Sequence, residues 1–440
     1  MRGLNLCPKT LPWKGFVKIP LGVTLNRNAS TSTRNQIETA VKSVSNTFPT
    51  VDLTWKDGHV SRFHPIWLVD HDPKFVHETS SQRNLDSAEL PQAVAHPCEI
   101  DVTDQGGKIT FKWDSLTFST GKVCDDYVVQ YDAAFLRQHC HSHSPPLEFS
   151  SPAEPAPLLW STKNMSKGTI PKFNSKNIVE NDEELFTALK GLKQYGVILI
   201  DNMPSSTEET EQVARRFGPP RETFYGTMWD TAPKPGAEVN DTAYTKDPLH
   251  PHTDASYLFD MCGLQCFNCV AQSGSDNDVE DSTEGCTKLV DGFKIMELLK
   301  LNEPETYNFF LNTNLKWFCK EEGVHMEMVE KAFSESPYKI FRYNNYDLDT
   351  VDYLPFDFIP EYYKHTKVIN DYMRAEDNVV LARLNVGEMV IVDNQRVCHG
   401  RTGFTGFRNM VGCYVGRDDW YSKLRVLKDR FAVAWFKFSI

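Results

Sequence analysis

Between about residues 50 and 140, apolar and polar positions alternate in short runs. Val51-Asp52-Leu53-Thr54-Trp55 leads into the turn Lys56-Asp57-Gly58-His59, and Lys108-Ile109-Thr110-Phe111-Lys112-Trp113 keeps a period of two. That period places alternate side chains on opposite faces, as in half-buried antiparallel strands. A small β-rich domain is expected over 46–143. Pro145, Pro146, Pro152, Pro155 and Pro157 follow, favour extended backbone and mark a Pro-rich linker over 144–170.

Beyond the linker the elements lengthen. Val197-Ile198-Leu199-Ile200 predicts a buried strand, and Pro204-Ser205-Ser206 opens a helix in which Ser206 and Glu209 are spaced as a capping box, ending near Gly218. A strand is expected at 263–270, a solvated acidic excursion at 272–286, and helices at about 292–319 and 360–375. Val379 to Leu384 and Met389 to Val392, separated by Asn385-Val386-Gly387-Glu388, predict a hairpin. No internal repeat is visible.

Composition narrows the function classes. The chain has 440 residues, 40% hydrophobic and 24% charged, with a net charge of −12 and no basic cluster interleaved with aromatics. Nucleic acid and anionic membrane surfaces are poor partners for it, and a small-molecule substrate fits better. No apolar run approaches the roughly 20 residues that cross a bilayer. Residues 1–37 carry Arg2, Lys9, Lys14, Lys18, Arg27 and Arg34 and no acidic residue, followed by Ser/Thr-rich sequence. That is the composition of a mitochondrial transit peptide, expected over 1–45, with the mitochondrial matrix as destination. Eleven scattered cysteines argue for a reducing compartment rather than a disulfide framework. Cys262, Cys266 and Cys269 lie in strand-like sequence, and His139 to His143 runs into the linker and is expected to be solvated.

The candidate chemistry centres on His250-Pro251-His252-Thr253-Asp254 and the distant His399. Two imidazoles and one carboxylate form the ligand set of a facial triad, which leaves three adjacent coordination positions open and suits non-haem Fe(II). Strands framed by a few helices, with metal ligands on distant strands, suggest a mixed α+β, mainly β fold. The expected architecture is a double-stranded β-helix (jelly-roll) barrel with flanking helices, over 171–430.

Longer strings carry a family resemblance. His252-x-Asp254, His399-Gly400-Arg401 and Arg408 are accompanied by Arg221 to Trp229, Asp241 to Lys246, Leu289 to Phe293 and Phe404 to Arg408. Together, over most of residues 50–428, they resemble the gamma-butyrobetaine dioxygenase family of Fe(II)/2-oxoglutarate oxygenases. The resemblance implies an iron-dependent hydroxylase with 2-oxoglutarate as co-substrate and L-ascorbate as reductant. It also implies a homodimer. Catalytic iron would sit on His252, Asp254 and His399.

The far carboxylate of 2-oxoglutarate calls for a planar guanidinium, which Arg408 offers; by resemblance Thr287 adds a hydroxyl. A quaternary ammonium cannot donate hydrogen bonds and is held by π faces, and Tyr225, Trp229, Tyr244 and Tyr414 match such a cage. Asp241 stands where the butyrobetaine-oxidising relative has Asn. A carboxylate there would attract an α-ammonium and repel a lone carboxylate, which favours N6-trimethyllysine, hydroxylated at C3 in the first step of carnitine synthesis. Asn344 is the candidate for the substrate carboxylate. The alternatives are butyrobetaine hydroxylation and a non-catalytic betaine-binding barrel. Two departures stand out: Gln395 replaces the family's usual Trp, and the N-terminal segment around Trp67 to Pro73 lacks the relative's zinc-binding cysteines, so no zinc is expected there.

Overall fold

The computed structural model describes residues 40–47, 49–140, 156–232, 245–273, 283–321, 323–336 and 338–435. The chain divides into two compact units, Met1–Leu147 and Glu148–Ile440.

The first unit holds two antiparallel three-stranded sheets. One is β1 (Val41–Thr47), β2 (Thr50–Trp55) and β3 (Val60–Phe63); the other is β4 (Glu99–Thr103), β5 (Lys108–Thr117) and β6 (Val123–Asp132). Alternation in β2 and β5 turns Val51, Leu53, Trp55, Ile109, Phe111 and Trp113 into one buried cluster. Cys140, expected to be solvated, is buried in that cluster with its sulfur 3.6 Å from His59 Nε2; residues 141–155 lie outside the described residues.

The second unit is a double-stranded β-helix. Its strands begin with β7 (Lys172–Asn174), β8 (Val197–Asp201), β9 (Trp229–Asp230), β10 (Leu249–His252), β11 (Leu264–Gln272) and β12 (Thr287–Asp291). Four short strands follow outside the barrel: β13 (Asn314–Glu321) and β14 (Val324–Lys331) form a two-stranded ribbon, and β15 (Phe333–Ser334) pairs with β16 (Ile340–Phe341). The barrel then closes with β17 (Val380–Ala382), β18 (Met389–Asp393), β19 (Val397–Arg401) and β20 (Arg408–Val415). The larger sheet runs β7-β8-β18-β11-β20-β9 and the smaller β10-β19-β12-β17.

Burial on both faces explains why the larger sheet reads as unbroken apolar runs. In β8, Val197 and Leu199 face the smaller sheet and pack with Leu289, Val380 and Val397. Ile198 and Ile200 face the other way, against Leu185 and Leu189 of the helix Asp182–Tyr195, Val213 and Phe217 of the helix Thr207–Phe217, and Trp420 and Leu424 of the helix Arg417–Trp435. The helix Thr207–Phe217 starts on Ser206, whose hydroxyl accepts from the Glu209 N–H at 3.2 Å, and stops at Gly218.

Three further expectations are corrected. Residues 379–392 do not form a hairpin: β17 pairs with β12 in the smaller sheet, whereas β18 pairs with β11 and β8 in the larger one. The turn between them, with Gly387 at φ 85°, carries the chain from one sheet to the other. The helical stretch from 292 breaks at Pro304 into Gly292–Asn302 and Pro304–Asn312, and residues 314–321 are strand. Part of the expected linker belongs to the barrel, because Trp160, Met165 and Ile170 are buried between its sheets. Residues 274–282 of the acidic excursion lie outside the described residues, as do 1–39 of the basic N-terminus. Among the described residues no helix is long and apolar enough to cross a membrane.

Candidate active site

The barrel brings the distant histidines together by strand pairing. His252 ends β10 and is the direct cross-strand partner of His399 on β19, so both rings project to one side with centroids 4.7 Å apart. The close approach depends on Gly400, where a Cβ would lie 2.7 Å from the Leu249 carbonyl oxygen. Arg401 next to it donates to the carbonyls of Thr245 and Asp247 and so holds the chain that leads into β10.

Asp254 completes the cluster from the turn after β10. Its backbone N–H donates to Asn394 Oδ1 at 2.8 Å, and Asn394 Nδ2 donates back to its carbonyl at 2.9 Å. Its Oδ1 lies 3.1 Å from His252 Nε2 and 3.5 Å from His399 Nε2. His252 Nδ1 faces the His250 carbonyl at 2.7 Å. That contact places a proton on Nδ1 and leaves Nε2 on the side of the carboxylate, where it can bind a metal ion or, protonated, donate to Asp254. Burial alone would raise the Asp254 pKa, yet the imidazoles of His399 and His252 hold the carboxyl well below the usual carboxylate range. One ligand atom from each of the three residues lies within 4.8 Å of the other two, the only such group of metal-capable side chains among the described residues. Two neutral nitrogens and an ionised oxygen converging on one point fit a divalent iron ion.

The cluster opens onto a cavity of about 370 Å³. Tyr225, Trp229, Tyr257 and Tyr414 are among its lining, with Trp229 and Tyr414 centroids 6.2 Å apart. Phe267 packs 5.4 Å from Trp229 and 4.9 Å from His399. Arg408 and Thr287 line the same cavity, with Arg408 Nη2 3.4 Å from Thr287 Oγ1. Among the described residues no carboxylate pairs with Arg408, and burial pulls its guanidinium below its ordinary range. Asn344 lines the cavity as well, but its Oδ1 accepts from the Tyr346 N–H at 2.9 Å in a local turn, which leaves its amide donor for other partners. Asp241 and Tyr244 lie outside the described residues. Gln395 is buried, donates to the Met261 carbonyl and accepts from Arg417, so it packs against the loop after Asp254 rather than lining the cavity.

A family model described as taurine catabolism dioxygenase TauD, TfdA family, matches residues 161–414. The chain belongs to this dioxygenase family. As a TauD/TfdA member it is an Fe(II)- and 2-oxoglutarate-dependent oxidoreductase acting on a small molecule. It is 30% identical over 378 residues to the mitochondrial trimethyllysine dioxygenase of Rattus norvegicus, covering 84% of this chain and 83% of that one. The gamma-butyrobetaine dioxygenase of Pseudomonas sp. (strain AK-1) is 26% identical over 386 residues, 86% of this chain and 94% of that one. An asparagine oxygenase solved with Fe(II), 2S,3S-3-hydroxyasparagine and succinate is 14% identical over 55% of this chain and 89% of that one, with a TM-score of 0.42.

The TauD/TfdA site holds residues that reading the sequence missed: Asn394, Gln265, Tyr257 and Phe267. Gln265 carried a signal, since the Leu264–Val270 run is apolar except for two amides, Gln265 and Asn268, and a buried amide requires a partner.

Proposed function

We propose that the chain is a trimethyllysine dioxygenase, hydroxylating N6-trimethyllysine at C3 at the head of carnitine synthesis, in the mitochondrial matrix and as a homodimer. The observation that carries the proposal is the single cavity in which Tyr225, Trp229 and Tyr414 face the His252–Asp254–His399 cluster. Aromatic faces bind a group that has charge and no donors, each ring contributing roughly 0.5–2 kcal/mol. Support comes also from the relatives named for trimethyllysine, at 28–30% identity, against 24–26% for those named for butyrobetaine.

His252, Asp254 and His399 would hold Fe(II), and Arg408 with Thr287 would anchor the far carboxylate of 2-oxoglutarate. When bound, the iron and 2-oxoglutarate supply the oxidation, which consumes O2 and releases succinate and CO2; ascorbate would keep the metal ferrous. The protein's own residues orient and exclude. Asn394 fixes the backbone of Asp254. The rings present the trimethylammonium, and Asn344, with Asp241, would take the amino-acid end of the substrate. Orientation decides which carbon is oxidised, while the oxidising power belongs to the metal and co-substrate.

Turnover of trimethyllysine and butyrobetaine by one purified sample, with Fe(II) and 2-oxoglutarate, tests the reading. Trimethyllysine-dependent succinate formation with a product 16 Da heavier, hydroxylated at C3, is expected. Exclusive oxidation of butyrobetaine would overturn the substrate assignment.

A further inference from the structure

The second oxygen of Asp254 has its own pair of partners. Oδ1 faces the two imidazoles, whereas Oδ2 accepts from Gln265 Nε2 at 2.5 Å and from the Tyr414 hydroxyl at 2.8 Å. The two donors are not independent. Gln265 on β11 and Tyr414 on β20 are direct cross-strand partners, so the register of the larger sheet sets both at once. Gln265 is 1% exposed. An ionised carboxylate can only accept, which fixes the amide with its nitrogen toward Asp254. Gln265 Oε1 is then a buried acceptor with no hydrogen-bond partner among the described residues, a cost that the contact to Asp254 offsets.

We infer that Gln265 is a positioning residue for the metal centre, acting with Tyr414 to hold Asp254 as a ligand through one oxygen only. The inference rests on the iron assignment for His252, Asp254 and His399. With Oδ2 engaged by two donors, the carboxylate cannot rotate to present both oxygens to a metal, and three coordination positions stay open for co-substrate and oxygen. Tyr414 thereby has two tasks. Its ring lines the cavity where the quaternary ammonium would sit, and its hydroxyl ties that wall to a metal ligand.

The test is Co(II) titration of the metal-free full-length protein, followed by the visible d–d spectrum and by succinate-to-product coupling, in wild type, Gln265→Met, Gln265→Glu, Tyr414→Phe and His399→Ala. Gln265→Met keeps length and removes the donor, and it should weaken Co(II) binding about 10- to 100-fold and shift the spectrum. Gln265→Glu keeps the length and replaces the amide donor on Oδ2 by a carboxyl group, so the Co(II) spectrum should shift as the hold on that oxygen is lost, which keeps the test informative where the Met variant fails to fold. Tyr414→Phe keeps the ring and removes the hydroxyl, and it should also weaken Co(II) binding and shift the spectrum. Gln265 variants with wild-type Co(II) affinity and spectrum and only a raised substrate KM would overturn the inference and make Gln265 a substrate contact. Loss of Co(II) binding in His399→Ala is the separate check on the iron reading. Wild-type protein that binds no Co(II) would sink that reading instead.

Discussion

Arg408 separates a binding role from a structural one, because the two predict opposite effects on the metal-free protein. Its guanidinium lines the cavity, its nearest polar contact is Thr287 Oγ1 at 3.4 Å, and no described carboxylate pairs with it. A 3.4 Å contact to a neutral hydroxyl is weak, so the unliganded state keeps a largely desolvated cation with little compensation. Arg408→Met preserves most of the volume and removes the charge. Losing one partner of a charge-assisted pair to a bound dicarboxylate costs about 2–5 kcal/mol, and about 3 kcal/mol corresponds to on the order of a hundredfold in affinity. The metal-free protein should lose nothing and could gain up to about 1 kcal/mol, since replacing a poorly compensated buried charge by an apolar side chain is neutral or stabilising. Calorimetric titration of 2-oxoglutarate into the Mn(II)-loaded protein measures the first effect, and urea unfolding of the metal-free protein measures the second. The reasoning fails if the variant binds 2-oxoglutarate as wild type does and loses about 3–5 kcal/mol of stability, the signature of a broken internal ion pair.

Two further perturbations follow from packing and from charge. At Gly412 a Cβ would stand 2.0 Å from the Cys266 carbonyl oxygen and 2.4 Å from Trp229 Cζ2, so Gly412→Ala should cost about 1–3 kcal/mol of stability through overpacking. It should also raise the KM for the quaternary ammonium more than that for 2-oxoglutarate; equal effects on both in steady-state kinetics would contradict the placement of Trp229. Glu388 is buried, and despite that burial the Asn385 N–H, Lys167 at 2.6 Å and Lys172 at 3.0 Å hold its carboxyl below the usual 4.5. Below the usual value the unfolded chain takes up the proton first, so this stabilisation is complete at neutral pH and is lost as pH falls through the folded-state pKa. Urea unfolding across that acid range should show a shallower pH slope for Glu388→Gln than for wild type, and an identical slope would exclude the contribution.

Local patterns carried much of this molecule, and the misreading at 379–392 comes from pairing with distant strands. The capping box at Ser206 and the helix end at Gly218 are local chemistry, visible in a few consecutive residues. So is the His-x-Asp string, which needs only a strand end and a turn to bring two of the proposed ligands together. Two apolar runs around a Gly-containing turn look the same whether the second strand folds back on the first or crosses to the facing sheet. At 380–393 the choice is made by β8, β11 and β12, which are far away in sequence. The end of the helix expected at 292–319 is a local matter: Leu315 and Trp317 are buried at a period of two, which a helix cannot provide. The Gln265–Tyr414 pair is a matter of register between strands 149 positions apart, and no local pattern encodes register.

The nine-residue separation of His399 and Arg408 has a structural reason beyond family resemblance. β19 lies in the smaller sheet and β20 in the larger, and facing sheets stand about 10 Å apart. The six residues 402–407 between them are therefore a crossing from one sheet to the other, ending where β20 begins. From that start, period two does the rest. Arg408, Met410 and Tyr414 face the cavity, Gly412 makes room on the same side for Trp229, and Cys413 and Val415 pack behind against the helices. Along roughly 20 Å of extended chain, one strand thus carries the arginine proposed to anchor the co-substrate, the clearance for an aromatic wall and the hydroxyl on the carboxylate proposed as a metal ligand. A shift of one residue in β20 would turn all three away together. This explains why an arginine at that spacing reports on the whole site and not only on its own contact.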